Sequence, residues 1–310
     1  MFRRTYVGMD ICPEGLRAIA VQRRGRNVFL SGGQTLHFSD EVVRPSTREP
    51  NVLKPELYID AVREVLVPLA KSEERIALSL PDACGYSFLL EINTPLKSRQ
   101  QGIEILKWQL KDTLPEGYRD FSLDYQVLSE LESGARKVLV SVIDNQVLAQ
   151  YEELVEAAGF NASLIDFHAF QLYNCYRSKT DLGDDFILVA ASGKELILLG
   201  FQGKLLDFLR VKSVGCDPEH VFREINRSLV AYRSAHSLRS RTMIYLHSDW
   251  REQELLLEAV QTAFAADVHL LPGPLAQLKG NGQALAISGA EASSMAAALG
   301  AAERQLEKVL

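Results

Sequence analysis

Apolar and polar positions along the chain follow two periods in turn. Tyr6-Val7-Gly8-Met9 is a short apolar run, and the Asp, Pro and Gly of Asp10-Ile11-Cys12-Pro13-Glu14-Gly15 predict a tight turn after it. Leu16 to Val21 alternates loosely as a returning strand, Arg23-Arg24-Gly25-Arg26-Asn27 predicts a second turn, and Val28-Phe29-Leu30 a third strand. Residues 40–55, with Pro45, Pro50 and Pro55, read as a loop. Beyond it Ile59, Val62, Leu66 and Leu69 fall at helical spacing. Ile76 to Leu80 predicts a strand that ends at Pro81-Asp82, and Tyr86 to Glu91 another. A helix follows over 98–114, then the β-branched run Val138 to Ile143. The helix predicted from Asn145 to Ala158 carries Val147, Tyr151, Leu154 and Ala158 on one face and stops at Gly159. Strands alternating with amphipathic helices predict an α/β protein with a mixed sheet.

The second half repeats the first. At an offset of 180 residues, Met9-Asp10-Ile11-Cys12 faces Val189-Ala190-Ala191-Ser192, Leu16 faces Leu196, and Gln22 faces Gln202. Both copies read strand, tight turn, strand, glycine turn (Gly25, Gly203), strand. Both continue into βα units, the second being Met243 to Leu246 with a helix from Glu252 to Phe264. An internal duplication is an architectural signal in its own right.

Composition narrows the function. With 310 residues the chain has room for about two domains. Its 34 basic and 40 acidic side chains leave a net charge of −6, which argues against a nucleic-acid binder that works by bulk positive charge. Cys12, Cys84, Cys175 and Cys216 form no CxxC pair, so reduced core thiols are expected rather than a disulfide framework or zinc ribbon. The N-terminus offers no signal-peptide core, and no run of about 18 apolar residues predicts a membrane span. Ala284 to Ala302 reads as a packed loop and helix. Glu303 to Leu310 reads as an amphipathic helix whose pattern stops short, as in a truncated chain.

Candidate chemistry is sparse. The six histidines show no HExxH spacing, and no metal site is expected. His168, two residues after Asp166, sits among apolar neighbours and reads as a satisfied structural histidine; no Gly-x-Ser-x-Gly elbow accompanies it. Cys12, in a tight turn, is the thiol expected to be exposed, and it has no evident activating cation. On the helix over 98–114, Ile103, Leu106, Leu110 and Leu114 form one stripe, while Ile105 and Trp108 lie nearly opposite. Those two either line a groove for a partner peptide, with Trp108 as anchor, or are covered by neighbouring segments such as Phe121 to Tyr125. Arg233, Arg239 and Arg241, near Ser234, Ser237 and Ser240, form a basic segment suited to anionic lipid or to a solvated helix end.

A duplicated α/β unit opening with strand, Asp-containing turn and strand resembles the actin-like ATPase (ribonuclease H-like) fold, in which two hairpin turns cradle nucleotide phosphates. Within it the chain resembles the PilM family of type IV pilus assembly proteins. The resemblance runs through Val7-Gly8-Met9-Asp10-Ile11, Leu78-Ser79-Leu80-Pro81, Trp108 to Pro115, Ser122 to Val127 and Tyr151 to Gly159. It continues through Leu164-Ile165-Asp166-Phe167-His168-Ala169, Leu209-Arg210-Val211 with Gly215, and Glu224 to Leu229. It implies a first lobe over 1–183 with an inserted small subdomain at about 76–143. The second lobe, 184–310, is expected to be reduced, because only a short stretch separates Gly215 from the helix over Phe222 to Tyr232, where the family places a nucleotide-covering subdomain.

Four departures accompany the resemblance. Cys12 and Pro13 stand where the family's first phosphate turn has Gly, and Pro removes an N–H donor. Ala190 replaces the second turn's acidic residue and cannot hold Mg²⁺. The adenosine-binding glycines are replaced by His247-Ser248-Asp249-Trp250. The covering subdomain is missing. Asp10, Cys12 and Ser192 are therefore expected as remnants of phosphate turns, with no cofactor and no reaction. The resemblance implies a pseudo-ATPase scaffold in the cytoplasm, peripheral to the inner membrane. It would bind the N-terminal tail of a PilN-like bitopic membrane protein beside the small subdomain, along with other platform and motor proteins. The alternatives are an active actin-like ATPase or kinase, and the cytoplasmic domain of a type II secretion platform protein.

Overall fold

The computed structural model describes residues 4–25, 27–94, 96, 98–115, 118, 120–180, 182–235, 242–280 and 289–307. The chain opens with an antiparallel meander, β1 (Thr5–Cys12), β2 (Gly15–Arg24) and β3 (Asn27–His37), followed by α1 (Pro55–Ala70) and β4 (Arg75–Leu80). An inserted unit comprises β5 (Gly85–Ile92), α2 (Arg99–Leu110), β6 (Phe121–Glu130) and β7 (Arg136–Asp144). Then come α3 (Asn145–Ala157), β8 (Asn161–Phe167) and α4 (His168–Thr180). The second copy runs β9 (Phe186–Ser192), β10 (Glu195–Gln202), β11 (Leu205–Ser213), α5 (Pro218–Ala235), β12 (Met243–Ser248), α6 (Gln253–Phe264) and β13 (Val268–Leu270). It is followed by β14 (Lys279–Gly280), α7 (Gly289–Ser294) and α8 (Ala296–Glu307).

The duplication expected from the 180-residue offset is visible as matched topology. The first sheet has the order β14-β3-β2-β1-β4-β8 and the second β11-β10-β9-β12-β13. In each, an antiparallel meander leads by a helical crossover to a strand parallel to the first, and a further helix leads to the edge strand. Gly25 and Gly203 occupy equivalent turns with φ of 62° and 58°, a backbone region that only Gly enters freely. β9 is buried on both faces, which accounts for its unbroken apolar reading.

Two expected boundaries move. The strand Arg75–Leu80 pairs in parallel with β1 and β8, so the inserted unit begins at Gly85 rather than near residue 76. A local apolar run does not reveal which sheet it will join. The second lobe likewise does not hold the whole of 184–310. The Ala-rich α8 returns to the first sheet, where its backbone lies so close that a Cβ on Gly8 would sit 2.1 Å from the Ala298 carbonyl oxygen. Small residues allow this approach, and they carry little periodic signal of where the helix docks.

α1 covers one face of the first sheet with Tyr58, Val62, Val65 and Leu66; α8 and α4 cover the other. The inner face of the second sheet (Leu188, Ile197, Leu199, Phe201) joins the same core, while α5 and α6 close its outer face over a separate core. The inserted unit has a third core, Leu106 and Leu110 of α2 against Val138, Val140 and Val142 of β7. Only residues 214–217 link β11 to α5, so nothing is inserted there. The side chain of Arg233 and residues 236–241, which carry the basic segment, lie outside the described residues, as do 281–288 and 308–310.

Candidate functional site

The β1–β2 and β9–β10 turns face each other between the lobes, joined at the rim by Lys194 Nζ and Glu14 Oε1 at 3.8 Å. Behind the rim, Asp10 is fully buried. Its Oδ1 accepts from Ser79 Oγ of β4 at 2.6 Å and lies 2.8 Å from His168 Nδ1. Its Oδ2 faces Arg17 Nη1 of β2 at 3.6 Å. His168 is the first residue of α4 and follows β8 without a loop, so the strand end aims its ring between the lobes. The ring reaches across: His168 Nε2 is 3.0 Å from Ser192 Oγ at the end of β9.

Charge sets the direction of these bonds. Burial disfavours the imidazolium, but the charge and hydrogen bond of Asp10, with Asp82 and Glu195, outweigh it and raise the His168 pKa to about 9. Burial likewise opposes ionisation of Asp10, yet His168, Arg17 and Ser79 hold its carboxyl below the usual range. At neutral pH the pair is ionic, and both ring nitrogens donate. Ser192 accepts from Nε2 and donates its own proton to Asp249 Oδ2 at 3.3 Å. Asp249 also receives the Gly193 N–H at 3.0 and 3.2 Å, and Trp250 Nε1 donates to the Gly193 carbonyl at 2.7 Å. Burial raises the Asp249 pKa, against the pull of Arg17 and the Gly193 amide. Arg17, Asp10 and His168 thus form a chain of alternating charge, buried at Asp10 and His168, and opposite charges side by side are the condition under which buried ions are tolerated.

Ser192, His168 and Asp10 have the contacts of a nucleophile–base–acid triad. An imidazolium cannot accept the serine proton, and that proton points at Asp249 instead. The Gly193 amide, the nearest donor for an oxyanion, is committed to the same carboxylate. His168 is the satisfied buried histidine that its neighbours in sequence predict.

The same commitments bear on phosphate binding. In the first turn Pro13 has no N–H, and Cys12 Sγ points at the Gly15 carbonyl at 3.2 Å. In the second turn the Gly193 N–H is taken. Asp82 also borders His168; its Oδ2 caps α4 by accepting the Ala169 N–H at 2.9 Å, and burial pushes its pKa up to about 7. Glu195 is raised too, burial being the main cause. Asp10, Asp82, Glu195 and Asp249 thus border the position from the two lobes. Among the described residues no group of three His, Cys, Asp or Glu is arranged to hold a metal ion.

Of the expected site residues, Asp10 and Ser192 are brought together through His168. Cys12 lies beside them, half-buried, with its thiol pushed up to about 12 by burial despite nearby Arg17. The exposed cysteine is Cys216, not Cys12, because the turn folds the Cys12 thiol back onto its own backbone. Arg17, Ser79, Asp249 and Trp250 escaped sequence reasoning. For Asp249 and Trp250 the one signal was the replacement of the family's glycines at 247–250; Arg17 and Ser79 read only as strand residues.

Ile105 and Trp108 lie elsewhere. Ile105 packs against the core of the inserted unit, and Trp108 is 79% exposed, so Phe121 to Tyr125 do not cover it. Neither lines the large cleft of the molecule, a cavity of about 960 Å³ on the opposite face of the β5–β7–β6 sheet. Ser122, Asp124 and Gln126 of β6 form one wall, and Ala162 to Phe167 of β8 another. Phe170, Tyr173 and Asn174 of α4 and Leu199, Phe201 and Leu206 of the second lobe form the back. Among the described residues β6 and β8 are edge strands of their sheets, and residues of both line the cleft.

No protein-family model and no curated protein matches the sequence. Solved structures do match. A PilM–PilN type IV pilus biogenesis complex superposes with a TM-score of 0.82 at 14% identity, over 96% of this chain and 98% of that one. A Bacteroides thetaiotaomicron protein with an actin-like ATPase fold and unknown function gives 0.55 at 11% identity, over 86% and 91%. The cytoplasmic domain of EpsL, an inner-membrane component of the Vibrio cholerae type II secretion system, gives 0.52 at 8% identity, over 98% and 95%. The chain has the actin-like ATPase fold, in duplicated form with a reduced second half.

Proposed function

We propose that this protein is a PilM-like scaffold of a type IV pilus, or related type II secretion, inner-membrane platform. In this reading it is cytoplasmic, peripheral at the inner membrane, and catalyses no reaction. It binds the extended N-terminal tail of a PilN-like bitopic membrane protein and meets other platform and motor proteins through further surfaces. The observation that carries the reading is the occupation of the space between the two turns by the His168 ring. A side chain hydrogen-bonded to both lobes lies between the two turns that in the resembled fold cradle phosphates, the Gly193 N–H is committed to Asp249, and Pro13 has no N–H to offer. Asp10, Cys12 and Ser192 are then structural descendants of a nucleotide site. The match to the PilM–PilN complex supports the choice of partner, and no helix among the described residues is long and apolar enough to cross a membrane.

The cleft is the docking site in this reading, since an extended tail can add as a strand to the free edge of β6 or β8 and place alternate side chains against Leu128, Leu139 and Ile165. Calorimetry with the N-terminal tail peptide of the neighbouring PilN-like protein tests it. Micromolar binding, lost at least tenfold in Ile165→Arg and kept in Trp108→Ala, is the expected result. Loss in Trp108→Ala alone moves the site to α2, where Ile105 and Trp108 would serve as the contact. Micromolar affinity for ATP with Mg²⁺ together with turnover would establish the enzyme instead.

A further inference from the structure

Three side chains of α4 reach the second lobe. His168 meets Ser192, Tyr173 stacks on Phe201 with ring centroids 4.6 Å apart, and Tyr176 Oη lies 2.9 Å from His247 Nδ1. Of the two histidines at this junction, His247 is fully enclosed with no anion beside it, and burial pushes its pKa down to about 3. It stays neutral across the physiological range, so its bond to Tyr176 does not respond to pH. His168 sits in the opposite environment. Facing it from the first lobe are Asp10 of β1 and Asp82 beyond β4; behind them, Arg17 of β2 and Ser79 of β4 border Asp10, and Asp166 of β8 acts on Asp82. From the second lobe come Ser192 of β9, Glu195 of β10, His247 of β12 and Asp249. Acidic groups thus approach from both lobes, Asp10 and Asp82 from the first, Glu195 and Asp249 from the second. The imidazolium lies between them.

We propose that His168 is a built-in latch whose positive charge holds the two lobes closed, and that loss of its proton lets them part. With the proton on, the ring donates to Asp10 on one side and Ser192 on the other and screens the carboxylates of the two lobes from each other. With the proton off, Nδ1–H still serves Asp10 but Nε2 can only accept, so Ser192 must turn its hydroxyl from Asp249 to the ring, and the facing carboxylates, with no cation between them, repel across the junction. The raised titration point follows from the same geometry. This inference is independent of any pilus partner.

The test uses the full chain. Imidazole NMR follows the titration of His168. Hydrogen exchange, corrected for its intrinsic pH dependence, follows opening at residues 8–17 and 189–196, with β5 and β7 as internal reference. The expected result is a His168 titration well above 6.5 and turn opening that rises by up to about tenfold per pH unit between about 7 and 9 while the reference stays flat. Ser192→Ala keeps the Asp10 contact and removes the cross-lobe bond. It is expected to leave the titration high but make the turns exchange at least tenfold faster at pH 7. His168→Gln is expected to weaken the pH dependence of turn opening between about 7 and 9, leaving only what Asp82 and Glu195 contribute; if it does not fold, the other two measurements still decide. Titration at or below 6.5, turn opening in the wild type that does not vary with pH, or turns in Ser192→Ala that exchange like wild type would each overturn the latch.

Discussion

His168 Nε2 and Ser192 Oγ, 3.0 Å apart, join the two lobes at the point where the duplicated hairpins meet. The contact turns a cleft between repeats into a buried ionic joint. It also makes global stability depend on a charge pair, Asp10 and His168, whose partners are both sealed from water.

That dependence has a sign. The His168 pKa is raised in the fold from 6.5 to about 9, so its stabilising contribution is complete below about 6.5 and lost as pH rises through 9. Asp10 is depressed below its ordinary 3.8, so its contribution is complete above that value and lost as pH falls through the folded pKa. Asp82 is raised from 3.8 to about 7, so its contribution is complete below about 4 and lost as pH rises through 7. Urea unfolding should therefore show greatest stability near pH 4 and a fall towards pH 9, first from Asp82 and then from His168. His168 accounts for at most about 3 kcal/mol of that fall. In His168→Gln the alkaline decline should shrink; an unchanged decline would place the titrating group elsewhere.

Gly300 is a second fragile point, on packing grounds. A Cβ there would lie 1.8 Å from the Gln171 carbonyl oxygen of α4, a backbone atom that cannot swing away. Gly300→Ala should separate α8 from α4 and cost about 3 kcal/mol or more, seen as a lowered urea midpoint. Gly8→Ala, against Ala298, should behave alike. A midpoint unchanged in both would mean that α8 does not pack this tightly.

Thiol reactivity separates the four cysteines. Cys84 is pushed up to about 12 by burial, as Cys12 is, and Cys175 is raised well above its ordinary value by burial. Cys216 is exposed and raised only in part. Titration with an aromatic disulfide reagent at pH 8 should show one fast thiol in the folded protein, and Cys216→Ser should remove it. A fast phase that survives in Cys216→Ser would contradict this.

Sequence and tertiary structure divided the work along a physical line. Whatever depended on neighbours in the chain was legible. The alternation of Leu16 to Val21, the turn at Asp10 to Gly15, its echo 180 residues on and the 3.6-residue stripes of α1 and α3 follow from backbone sterics and local burial, and they were enough for a duplicated α/β fold. α4 left no such trace. His168, Ala169, Phe170, Gln171, Leu172, Cys175 and Tyr176 are all buried, so only the short strip of Asn174, Arg177 and Ser178 marks a polar face. The exposure of Trp108 and the burial of Cys12 also depended on which segments came to lie over them. The joint itself links His168 to Asp10 across 158 positions and Ser192 to Asp249 across 57. No local pattern encodes those distances. Only folding brings the residues within bonding range, because a buried charge becomes tolerable once the opposite charge, supplied from elsewhere in the chain, is beside it.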